Sequence, residues 1–237
     1  STSEIVAQTV ATANVALGED AFQRIIKEKQ EANIMFLIQQ ANVRSSELKT
    51  AKAFQEEVKA IGEAANKQIT NIEISAYASP DGALDLNQGL AEKRQDATAK
   101  VVNKNLKKDK MEANVDTKYT AEDWEGFQEL VSKSNIQDKE LILRVLSMYK
   151  EPEQREQEIK NISSVYSDLA DEILPQLRRS RLTLNYEIIG KSDEEIANLA
   201  DNNAKELSLE ELLYAATLAK DAAKKEAIYT KATQLFP

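Results

Sequence analysis

Asn87, Leu90 and Arg94 are separated by three and four residues inside a stretch, Leu84 to Lys107, whose pattern predicts a helix, so the three share one of its faces. Arg94 falls between Leu90 and Ala97 on the apolar stripe marked by Leu86, Leu90, Ala97 and Val101. A guanidinium in that position is costly if left without a partner, so it must meet either an internal carboxylate or an anionic ligand. Its planar fork suits a carboxylate in both cases. Directly before the helix, Ser79-Pro80-Asp81-Gly82 forms a polar bend. Ser79, Asp81 and Asn87 therefore either touch a ligand beside Arg94 or build the turn and cap the helix, and their residue types suit both roles. Asp81 with Glu92 is the carboxylate pair a hydrolase would need, but no acid here sits in a recognisable catalytic spacing, and an enzyme is not expected.

The rest of the inventory narrows the chemistry. Among the 237 residues there is no Cys and no His, which removes structural zinc, His- or Cys-ligated haem, thiol catalysis and a Ser-His-Asp triad. No metal and no cofactor is expected. The formal net charge of -9 opposes a nucleic-acid partner, and the one basic cluster, Lys104 to Lys110, reads as the solvated end of a helix. The longest apolar run, Ile34 to Ile38, is far short of the roughly 20 residues of a membrane helix. No charged-then-apolar leader opens the sequence, so the chain is expected to be soluble or to have lost an export signal.

The elements that position the candidate residues follow from periodicity. Ile5 to Leu17 is rich in Val, Thr and Ala and reads as a strand, with a short helix around Phe22, Ile25 and Ile26. Ile34 to Ile38 suits a strand covered on both faces. Leu48, Ala51, Phe54, Val58 and Ile61 mark one face of a helix. Ile72, Ile74, Ala76 and Ala78 alternate as a half-buried strand, and Ala113, Val115, Thr117 and Tyr119 as a third core strand. Thr120 with Asp123 predicts a capping box and a helix carrying Trp124, Phe127, Leu130 and Val131. Helical segments follow over Lys139 to Tyr149, from Pro152 as a first helical residue to Ile162, and over Val165 to Leu174. Leu182, Leu184, Tyr186 and Ile188 form a last strand directly after Arg178-Arg179-Ser180-Arg181. The expected fold class is α+β, a mixed β-sheet with helices packed on it.

At Tyr77, Gly82, Asn87, Leu90, Ala91, Arg94 and Gln95 the sequence resembles the OmpA-like domain of OmpA, Pal and MotB proteins. In that family a strand ending in Tyr and a Gly-containing loop lead into a helix with the pattern Asn-x-x-Leu-Ser-x-x-Arg-Ala; here Ala91 replaces the Ser and Gln95 the Ala. The resemblance covers residues 31 to 106 and 178 to 189, and Arg181 is the counterpart of the family's final strand-start arginine. The Ala-Tyr-Ala-Ser-Pro-Asp-Gly loop looks like the variant of Bacteroides-type outer-membrane proteins, which often add tetratricopeptide repeats after this domain. The resemblance implies an envelope module that associates non-covalently with peptidoglycan. Arg94 would grip a stem-peptide carboxylate, and the loop would add polar groups and N–H donors. Ser79 stands where the family has Asp, which would remove a charged partner for the ligand's ammonium and lower affinity by about 1.5–3 kcal/mol. Asp81 lies two residues further on.

Beyond Gly190 the composition turns to Ala, Leu, Lys and Glu, with capping boxes at Ser192/Glu195 and Ser208/Glu211. The expected organisation is a domain over 1–190, with a helical insertion at about 120–176, and a helical segment over 191–237. Leu209, Leu212, Tyr229, Ala232 and Pro237 fall at spacings resembling one tetratricopeptide repeat, with Leu213 and Lys225 in place of the usual Gly and Ala. Such a unit either continues into further repeats of a longer protein or caps the sheet domain as a terminal helical hairpin. The expected ligand-binding residues are Ser79, Asp81, Asn87, Arg94 and Arg181. The expected setting is the periplasm of a Gram-negative bacterium, in association with the outer membrane, with peptidoglycan as partner and other envelope proteins meeting the C-terminal helices. The alternative is a scaffold that keeps the fold, has lost wall recognition and binds another envelope protein.

Overall fold

The structure is a computed structural model describing Val6–Thr9 and residues 25–237. Its sheet has the order β1-β2-β5-β3-β4, from β1 (Val6–Thr9), β2 (Ile25–Met35), β3 (Lys67–Tyr77), β4 (Val115–Thr120) and β5 (Arg179–Ile189). β3 and β4 are parallel, with Ile72 opposite Val115 and Tyr77 opposite Thr120. β5 runs antiparallel to β3: Arg179 lies over the Tyr77 ring at one end, and Asn185 donates to Asn71 at the other. The sheet is therefore mixed, and the α+β class expected from the sequence is what the structure has.

The chain divides into two compact units. Lys29–Ala64 and Ile69–Tyr186 belong to one. It carries α1 (Ser45–Glu63), α2 (Leu84–Lys108) and, between β4 and β5, α3 (Trp124–Lys133), α4 (Lys139–Met148), α5 (Pro152–Asn161), α6 (Ser163–Asp168) and α7 (Leu174–Leu177). Leu169–Ile173, joining α6 to α7, is wound as a π-helix. Ala65–Gln68 and Glu187–Pro237 belong to the other unit, with α8 (Asp193–Asn202), α9 (Leu209–Leu218) and α10 (Ala222–Leu235) around Ile196, Leu207, Leu212 and Ile228. Ser208 accepts from the Glu211 N–H while Glu211 accepts from the Ser208 N–H, the reciprocal cap its spacing predicts.

The alternation in β3 places Ile72, Ile74 and Ala76, and Ala78 beyond its end, in the core, and β5 does the same with Leu182, Leu184 and Tyr186. Elsewhere the expectations need correction. Ile25 and Ile26 open β2 instead of forming a helix, while Phe22 and the expected strand beyond Thr9 lie outside the described residues. β2 ends at Met35, and Ile38, expected inside a doubly covered strand, is 55% exposed. β4 is an edge strand and not a core one, because β3 flanks it on one side only. Thr120 ends β4 and caps nothing. The N-cap of α3 is Asp123, whose carboxylate accepts from the Gly126 N–H at 2.9 Å.

The buried line of α2 is displaced by one residue from the apolar stripe. Leu86 is 72% exposed, while Asn87, Ala91, Arg94, Thr98, Val102 and Leu106 are buried. Half of that line is polar, and each polar member has partners. Thr98 donates to the Arg94 carbonyl and shares a bond with Ser180 on β5. Asn87 and Arg94 hold the turn described next.

Candidate functional site

The strand-to-helix turn between β3 and α2 is anchored on both sides. The Ala78 N–H donates to the Thr120 carbonyl at 3.1 Å and the Ala78 carbonyl accepts from Asp123 N–H at 3.3 Å, extending the sheet one step past Tyr77. Ser79 is buried directly after it. Gly82 has φ +100°, a conformation that side chains disfavour, and so completes the bend. Asn87 reaches back from the first turn of α2, its amide donating to the carbonyls of Asp81 at 3.2 Å and Gly82 at 3.5 Å. These are the bonds of a turn-building residue.

Arg94 has no exposed surface. Among the described residues no carboxylate forms an ion pair with it: its Nε donates to the Gln40 carbonyl at 2.9 Å, and its two terminal nitrogens donate to the carbonyls of Tyr77 at 2.9 Å and Leu37 at 3.1 Å. The guanidinium also lies 5.2 Å from the centroid of the Phe36 ring. One side chain thus ties the end of β3 to the turn that follows β2. Burial pushes its pKa down to about 10, with Arg178 acting in the same direction and Asp81 against it, so Arg94 stays protonated at neutral pH.

Those two neighbours form the charged part of the site. Arg178, the residue before β5, places a terminal nitrogen 3.9 Å from the Asp81 carboxylate, an outer-limit ion pair with side-chain exposures of 11% and 24%. Asp81 Oδ1 and Arg178 Nε are both buried without a hydrogen-bond partner. An acceptor and a donor thus stand unsatisfied at one place, where each missing bond costs about 1–3 kcal/mol.

Arg179 and Arg181 point elsewhere. Arg179 pairs with Asp123 at 2.9 Å and covers the Tyr77 ring at 4.4 Å. Arg181 lies 5.7 Å from the centroid of the same ring. Of the five residues expected from the sequence, the structure brings Asp81, Asn87 and Arg94 around the turn with Ser79 beside them, and sets Arg181 against Tyr77. Glu92 is exposed on α2, and Asp81 is engaged with Arg178, so the two do not form a facing acid pair.

Sequence reasoning missed two participants. Arg178 stood first in the arginine string, and its placement follows from the antiparallel pairing of β5 with β3, which puts the start of one strand at the end of the other. Glu156, on α5, accepts from the Gly82 N–H at 3.0 Å and also binds Lys160. No local pattern announces a contact between positions 74 residues apart. Among the described residues no group of three acidic side chains could hold a metal ion, and no helix is long and apolar enough to cross a membrane.

No protein-family model matches the sequence, and no curated protein does. Among solved structures, the OmpA-like domain of FopA1 from Francisella tularensis subsp. tularensis SCHU S4 is similar over 76% of this chain and 94% of that one, with 14% identity and a TM-score of 0.37. It is a distant likeness and assigns no residue a role.

Proposed function

We propose that this chain is a non-enzymatic cell-envelope module that associates non-covalently with peptidoglycan, and that the turn at 79–82 with Arg178 is its recognition end. The observation that carries the reading is the adjacent pair of unsatisfied buried atoms, Asp81 Oδ1 and Arg178 Nε. A ligand with an ammonium and a carboxylate on one carbon, the free end of a diaminopimelate side chain, satisfies both: Asp81 accepts from the ammonium and Arg178 donates to the carboxylate. Asp81 thereby supplies the acid that Ser79 does not. The sequence resemblance at Tyr77, Gly82, Asn87 and Arg94 supports the same ligand class.

In this reading Arg94 is the clamp that fixes the turn from behind, Asn87 holds its carbonyls, Ser79 lines its base and Arg181 extends the basic edge along β5. The setting is the periplasm of a Gram-negative bacterium, close to the outer membrane, with the C-terminal helices free to meet another envelope protein. The test is a pull-down with purified diaminopimelate-type sacculi, comparing the parent chain with Arg178→Gln and Asp81→Asn. Each variant loses one charge-assisted contact of about 1.5–3 kcal/mol, so retention should fall about tenfold or more. Equal retention of all three proteins rejects the site.

A second reading, an envelope scaffold without wall recognition, is favoured by Glu156, whose carboxylate already occupies the Gly82 N–H. Calorimetry with a diaminopimelate tripeptide separates the two, since clear binding excludes the scaffold alone.

A further inference from the structure

The recognition turn is partly covered by its own chain: Ser79 and Pro80 are buried, while Gly82 is exposed. α5 lies across it, Glu156 taking the Gly82 N–H at 3.0 Å. The space left between the turn and the helices that follow β4 is a cavity of about 20 Å³, lined by Pro80 and Asp81 on one side and by Trp124, Glu156, Tyr166 and Leu174 on the other. That volume holds about one water molecule, and a peptide side chain does not fit.

The covering helix is weakly seated. Ile159 is the one residue of α5 that is buried, so a single apolar side chain seats the helix. The remaining sequence, Pro-Glu-Gln-Arg-Glu-Gln-Glu-Ile-Lys-Asn, has almost no apolar surface to contribute. Its N-terminal end is better tied. Arg155 donates to the carbonyls of Leu146 and Tyr149 at the end of α4, and its guanidinium lies 5.5 Å from the centroid of the Trp124 ring. A helix anchored at Arg155 and held elsewhere by one isoleucine and one carboxylate can swing about α4 at low cost. Meanwhile the turn beneath it keeps Asp81 Oδ1 and Arg178 Nε unsatisfied, so the closed arrangement does not use the site's full bonding capacity.

We propose that α5 is an intrachain lid on the recognition turn, with the Glu156 carboxylate standing in for the carboxylate of the ligand and leaving when the ligand enters. The inference rests on the function proposed above, because a lid needs a site to close. A ligand that satisfies Asp81 and Arg178 and displaces Glu156 from Gly82 shifts the population towards the open form by its differential affinity.

The test uses the full chain in two measurements. The first is retention on diaminopimelate-type sacculi of the parent, Glu156→Ala, Ile159→Ala and, as the site-dead reference, Arg178→Gln. Glu156→Ala removes the internal competitor, and Ile159→Ala loosens the helix by truncating a side chain that lines the same cavity as Pro80 and Asp81. Both should bind about tenfold more tightly than the parent, one competing charge-assisted contact being released. The second is amide hydrogen exchange at Gly82 in the absence of sacculi, which should accelerate about tenfold in Glu156→Ala. Parent and both lid variants retained equally, and all above Arg178→Gln, would leave wall binding intact and overturn the lid. Retention of every protein at the Arg178→Gln level would overturn the wall reading and the lid with it. Unchanged exchange at Gly82 overturns the lid on its own.

Discussion

Replacing Arg94 by Met tests whether a fully buried cation acts here as a structural clamp. The substitution keeps most of the side-chain volume and removes three donors, leaving the carbonyls of Gln40, Tyr77 and Leu37 without them. Hydrogen bonds from a charged group contribute about 1.5–3 kcal/mol each, which sets the gross scale. Burial works against this: the pKa moves from 12.5 to about 10, which at about 1.4 kcal/mol per unit withdraws roughly 3 kcal/mol. The balance is a loss of about 1.5–6 kcal/mol, a large part of the about 5–15 kcal/mol that holds a domain together. Urea unfolding at neutral pH, followed by the fluorescence of the single tryptophan, Trp124, measures it directly. Arg94→Lys, with one compact ammonium, should fall between parent and Met variant. A loss below about 1 kcal/mol for Arg94→Met would refute the clamp, because three carbonyls cannot lose their charged donor at so little cost.

Three further outcomes are expected. Gly126→Ala should destabilise the chain by about 1–3 kcal/mol in urea unfolding, since a methyl group there collides with the Asp123 carboxylate and disturbs both the α3 cap and the Arg179 pair. Ser208→Ala removes the α9 capping box and should cost about 1 kcal/mol, measured by thermal unfolding monitored by helix ellipticity. Glu122 has its pKa raised, by burial first and then by Glu156 and Glu153, against a lowering hydrogen bond from Trp124. The folded chain therefore binds that proton more tightly than the unfolded one, and this contribution to stability is lost as pH rises through the folded-state value. Glu122→Gln should accordingly gain stability over the parent at about pH 8, and the gain should fade as the pH drops to about 4; a gain that grows on acidification contradicts the sign.

Most of the elements were legible because their apolar residues keep a strict period. Ile72, Ile74 and Ala76 alternate as β3 requires, and Pro152 opens α5 where a residue lacking an N–H costs nothing. The failures have a common cause. Sequence patterns register apolar faces, and the buried line of α2 is built on Asn87, Arg94 and Thr98, whose burial is compensated by carbonyls of the turns for Asn87 and of the turn and β3 for Arg94, and by the Arg94 carbonyl and the Ser180 hydroxyl for Thr98. The stripe through Leu86 therefore pointed one residue away from the true contact surface. Ile25 and Ile26 were misread because a strand edge with Lys27, Glu28 and Lys29 beside them lacks a clean alternation. At the site, the turn and its helix could be located from Pro80, Gly82 and Asn87. The partners beside it, Arg178 and Glu156, arrive through strand order and through a helix between β4 and β5, and neither is encoded near the turn.

The place of β5 between β2 and β3 has a consequence for how the molecule is made. β2 and β3 are not neighbours, so two early-synthesised strands must wait, unpaired with each other, until the last strand emerges and wedges itself between them. During vectorial synthesis, the strands before Arg179 emerge with open ladder edges, a state exposed to wrong partners and to proteases. The same late event delivers Arg178 to Asp81, so the charged turn is assembled at the moment the sheet closes and not before.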